Sequence, residues 1–232
     1  LPVGIIFGTV GIVFLLGNLL HLPGFGEVIF GQEILLHKGE VLEVFRALGI
    51  LPDRLNPEVG PMMPQEIWVL WFIVLVFGLI GGATVNLLFN IGEEVGWRGF
   101  MLVETKSLGF LGSNLIIGGI WGVWMLPLYL MSSGKSLMAM GMWEVMAIVG
   151  FAIAIAFPMA YFSIKTRSIY ASATFHGVLN NITMLSAFFI WGENELLGSV
   201  KGLAGMFVLL LITFLIIRYD QRFVDKYDKW VY

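Results

Sequence analysis

Cysteine is absent from the chain, which removes disulfides, thiolate metal sites and a cysteine nucleophile from consideration. Charge is scarce too, at 12% of 232 residues, against about 25% in an ordinary soluble domain. The net charge of −3 gives nucleic-acid binding no electrostatic support. There is no Gly-x-Ser-x-Gly, no phosphate-binding glycine loop and no His-Glu-x-x-His. What is present is apolar: 58% of residues are hydrophobic and the mean hydropathy is +0.90. These values predict an all-α protein, a polytopic transmembrane helical bundle of about 6 to 8 helices with the lipid bilayer as its solvent. The length suits one transmembrane domain over residues 1–232.

Apolar runs mark the expected crossings. Residues 1–22 form the first, read as a retained span because no convincing cleavage site follows it. Residues 23–66 are a long connection in which 35–48 mix Glu40, Glu43 and Arg46 with Leu and Val, the rhythm of a short interfacial helix. His37 beside Lys38 reads as solvated or at headgroup level. Residues 67–105 are too long for one crossing, since such a helix would run to nearly 60 Å against a core of about 30 Å. Gly81-Gly82 is the natural place for it to kink or restart. Further spans are expected at 113–130, 140–162, 169–191 and 202–217, with Glu144 suited to a helix N-terminus and 218–232 a charged tail. Arg218, Arg222, Lys226 and Lys229 place that tail on the cytoplasmic side.

One stretch breaks the apolar pattern: Ile91-Gly92-Glu93-Glu94-Val95-Gly96-Trp97-Arg98-Gly99-Phe100, which follows 23 residues, 67–89, without a charge. A charged side chain at a membrane helix centre costs on the order of 2.5 to 3.5 kcal/mol, so such residues face a protein interior or a wet cavity. At about 100° per residue, Asn86, Asn90, Glu93 and Trp97 share a stripe, while Glu94 and Arg98 lie to one side as an i,i+4 pair in the favoured order. Glu93 is left without a local partner, suited to accept and return a proton. In the span at 169–191, His176 and Asn180 stand one turn apart on one face.

Glu93-Glu94-x-x-x-Arg98, then Trp121-x-x-x-Met125, then His176-x-x-x-Asn180 resembles the three-part signature of the CAAX prenyl protease and bacteriocin-processing family, also called Abi, in its prokaryotic branch. The likeness covers about 86–182. It implies an intramembrane endopeptidase in the cell membrane of a prokaryote, with Glu93 and the second-motif histidine activating a water and His176 and Asn180 stabilising the oxyanion. It also assigns Glu94 to holding Arg98. The implied partners are a peptide or prenylated protein substrate and the bilayer; no cofactor and no metal is implied.

The second motif departs from the pattern, because Met125 stands where the family has histidine, and a thioether neither shuttles protons nor holds a water by a strong hydrogen bond. Three explanations fit: a silenced chain, a natural paralogue that binds without cutting, or an enzyme running on Glu93 with His176 alone. The first two are preferred. Zinc would lack ligands, since only Glu93, Glu94 and His176 remain and Glu94 is engaged. The expected function is a CAAX-type endopeptidase acting on membrane-associated peptides, prenylated ones included, with activity lost or reduced at Met125. The alternative is a non-catalytic peptide-binding or bacteriocin-immunity membrane protein.

Overall fold

Long apolar runs satisfy their backbone groups internally as helices, the one open-chain form that lipid tolerates. The computed structural model describes residues 1–29, 64–134, 136 and 140–231, so the expected interfacial helix at 35–48, and His37 with it, lie outside the described residues. Helix α1 (Pro2–Val13) begins with proline in its first turn, where the missing N–H is harmless, and continues as a π-helical stretch, Phe14–Leu19. Strand β1 (Glu27–Val28) follows. Helix α2 (Pro64–Ala83) leads into α3 (Val85–Glu94), whose rod runs on through a π-helical segment, Val95–Met101, and a last α turn, Leu102–Thr105. Then come α4 (Gly109–Ser133), α5 (Met142–Thr166), α6 (Ile169–Ile182), β2 (Ile190–Trp191), α7 (Glu195–Gly198), α8 (Leu203–Tyr219), α9 (Gln221–Asp225) and α10 (Tyr227–Trp230). Among the described residues, four helical segments are long and apolar enough to cross a membrane: Pro2–Leu19, Val85–Met131, Met142–Thr166 and Glu195–Tyr219.

The break in the 67–105 run falls just after the glycine pair. Thr84 leaves helical geometry at φ −125° and ψ −79°, its Oγ1 bonding back to the Ile80 carbonyl at 2.6 Å. The glycines also let α2 and α6 meet backbone to backbone. A Cβ on Gly82 would lie 2.4 Å from Val178 Cα, and one on Gly177 would lie 2.4 Å from the Gly82 carbonyl oxygen. Between α4 and α5 the same device recurs, with Gly118 and Gly122 against Ile153 and Val149. Glu144 caps α5 as its sequence position predicts, accepting the Gly141 N–H at 3.1 Å.

Two expectations are corrected. Helix α6 stops at Ile182, well before the expected 191, and tightens into a 3₁₀ stretch, Thr183–Phe188. Thr183 and Ser186 bond back to Leu179 and Thr183 carbonyls there, and Val28 and Ile190 then pair across the β1–β2 ribbon. The tail at 218–232 is more than a charged appendage. Phe223 and Tyr227 are fully buried against Phe110, with ring centroids at 5.5 and 5.6 Å, and close a second apolar cluster at the end of α4 and α5.

Candidate active site

Helix α3 packs against α6, and α4 packs along α5 beside them, so the charged stretch of α3 meets residues of α4 and α6. The centre is an ion pair. Arg98 Nη1 lies 3.1 Å from Glu94 Oε1, with both side chains fully buried. The i,i+4 pairing read from the sequence is present even though the helix widens to π geometry just after Glu94. Arg98 is gripped further by the Trp121 ring, 4.9 Å from the guanidinium carbon, and by Met159 Sδ, 3.6 Å from Nη2.

His176 joins the same carboxylate. Its Nδ1 stands 3.3 Å from Glu94 Oε1, a close approach whose angles fall short of a hydrogen bond. Ser172, one turn earlier on α6 and buried, also faces Glu94. Glu94 therefore ties α3 to α6 as well as holding Arg98. Sequence spacing could not reveal that, because the two residues are far apart in the chain.

Glu93 is half-buried and adds its charge to the field at Arg98 from a distance; its Oε2 is buried and has no hydrogen-bond partner among the described residues. The same is true of Glu94 Oε2, Asn90 Nδ2, Trp97 Nε1 and Trp121 Nε1. Trp97 and Trp121 are 6.4 Å apart, and Trp121 is 5.2 Å from His176 in a T-shaped contact. Buried polar atoms are nearly always paired, and leaving one unpaired costs about 1 to 3 kcal/mol. A cluster with both donors and acceptors unmet is suited to a polar guest such as water and a peptide group. No three of the described His, Asp and Glu residues gather in a way that would hold a metal ion.

A family model for type II CAAX prenyl endopeptidases, Rce1-like, matches residues 64–182, just over half of the chain. The chain belongs to this family of CAAX-type intramembrane endopeptidases. No curated protein and no solved structure gives a match. The matched region begins at α2, earlier than the residue-86 start of the sequence likeness, and covers every residue of the charge network.

The residues of the three motifs expected from the sequence are not equally assembled. Glu93, Glu94, Arg98 and His176 lie on the facing helices α3 and α6, and Trp121 joins them from α4. Met125, one turn beyond Trp121, is partly buried against the main apolar core, as its thioether chemistry suits. Asn180 is exposed. It is the next residue, Asn181, that reaches α3, accepting a hydrogen bond from Asn86 Nδ2 and donating to the Gly78 carbonyl at 3.4 Å. Sequence reasoning placed Asn86 on the polar stripe but missed this partner. The available signal was the doubled asparagine.

Proposed function

We propose that the protein hydrolyses a peptide bond in membrane-associated, prenylated peptides, with Glu93 as general base. Glu93 takes a proton from a water, the oxygen adds to the scissile carbonyl carbon, and the carbonyl oxygen becomes an oxyanion facing His176, with Asn180 at the mouth of the site. Return of the proton from Glu93 to the leaving nitrogen lets the C–N bond break, giving a carboxylic acid and an amine. Glu94 acts as a positioning residue: its carboxylate beside Nδ1 orients the His176 ring so that an Nε2–H on the substrate side can donate to the oxyanion.

The observation that carries this reading is the division of labour between adjacent acids. Glu94 meets Arg98 and His176 through one oxygen, while Glu93 keeps a buried oxygen free of protein partners among the described residues. Met125 withdraws the second base of the family pattern, so turnover should be slow. The test is Met125→His, assayed on a farnesylated peptide with products read by mass spectrometry. Turnover should rise by about 10²-fold or more, as a positioned acid or base typically contributes, and adding Glu93→Ala should abolish it. Well-folded Met125→His protein that binds the peptide without cutting it would favour the non-catalytic binding reading.

A further inference from the structure

We propose that the indole N–H of Trp121 is a third donor to the scissile carbonyl oxygen, hydrogen-bonding the substrate and, more strongly, the oxyanion. Trp121 is 4% exposed, yet its Nε1 has no acceptor among the described residues. The ring is fixed from separate helices. The Arg98 guanidinium lies 4.9 Å above it, His176 meets it at 5.2 Å with an interplanar angle of 78°, and Trp97 flanks it at 6.4 Å. A donor held this firmly needs no reorganisation when charge develops on its acceptor, the condition under which such hydrogen bonds contribute most to catalysis. The cation over the ring face also withdraws electron density and strengthens the N–H as a donor.

The choice of acceptor follows from the neighbours. Trp121 beside His176 and Trp97 beside Trp121 bring unmet N–H donors, and Glu94, 3.3 Å from His176, and the adjacent Glu93 bring unmet carboxylate oxygens. A carbonyl oxygen suits the donors and an attacking water suits the acid. Met125 and the exposed Asn180 weaken the polar side of the site elsewhere, which gives the tryptophan N–H more of the oxyanion to carry.

This inference rests on the proteolytic reading, and its test separates the two. Trp121→Phe keeps an aromatic face for Arg98 and His176 and removes the N–H together with part of the ring volume. Benzothienylalanine at position 121 keeps the bicyclic volume as well, which covers the case of a Trp121→Phe protein that fails to fold. Affinity for a phosphinate isostere of a farnesylated CAAX tetrapeptide is measured in the otherwise natural chain, and kcat and KM are measured in the Met125→His background. Both variants should bind the phosphinate at least about 10-fold more weakly and lose at least about 10-fold in kcat, with KM changed by less than about threefold. Unchanged phosphinate affinity and kcat, a loss confined to KM, or a natural chain with no affinity for the phosphinate would overturn the role of Trp121. Turnover that survives Glu93→Ala would instead overturn the general-base reading.

Discussion

One oxygen of Glu94 lies 3.1 Å from Arg98 Nη1 and 3.3 Å from His176 Nδ1, so a single buried carboxylate joins α3 to α6 and meets both a guanidinium and an imidazole. Removing one member of a buried pair strands the other, which typically costs about 3 to 5 kcal/mol. Arg98→Ala should therefore destabilise the protein by roughly that amount in thermal melts in detergent. A loss under about 1 kcal/mol would contradict the burial described for the pair.

The α2–α6 approach makes a sharper test of packing. A Cβ at Gly82 would sit 2.4 Å from backbone at Val178, which cannot rotate away, whereas Gly92 and Gly96 have nothing within 4 Å. Gly82→Ala should cost about 1 to 3 kcal/mol by overpacking and lower activity by displacing His176. Gly92→Ala and Gly96→Ala should melt within about 0.5 kcal/mol of the natural chain, as changes clear of such contacts usually do.

Asp220 gives the tail a pH dependence. Its carboxylate accepts from Lys165 Nζ at 2.7 Å and from the Tyr161 hydroxyl at 3.0 Å, and the lysine bond, above all, holds its pKa below the ordinary carboxylate range. A lowered folded-state pKa means the contribution is present above the unfolded value and is lost as pH falls through the folded one. Tail docking, followed by Trp230 fluorescence in a chain lacking the other tryptophans, should weaken below about pH 4, where an unperturbed Asp titrates. The pair is partly exposed, so its contribution is at most about 1 kcal/mol. Asp220→Asn should flatten the profile.

Tyr227 should ionise late. Burial pushes its hydroxyl up to about 12, and its O–H lies 3.4 Å from Ser113 Oγ. Since the raised value favours the protonated folded state, its contribution is intact below about pH 10 and is lost as pH rises towards 12. The tyrosinate absorbance titration of the natural chain, minus that of Tyr227→Phe, should show one step near pH 12. A difference step near pH 10 would show that the tail does not bury this ring.

Much of the architecture was legible because a membrane imposes it locally. Apolar runs announce helices, a glycine pair marks the break at Thr84, and Glu94 and Arg98 find each other at i,i+4 because helix geometry brings them together whatever surrounds them. The motif order and spacing pointed to the CAAX endopeptidase family, to which the chain belongs. Three other features could not be read this way. The end of α6 at Ile182 depends on a ribbon partner more than 150 residues earlier, β1. Burial of Phe223 and Tyr227 depends on a cleft beside Phe110 that exists only once α4 and α5 have packed. The meeting of His176 with Glu94 depends on how closely α2 and α6 approach at Gly82 and Gly177. Periodicity along one helix fixes which side chains share a face. Only contact between helices sets which faces meet, because that is decided by the backbone distance their smallest residues permit.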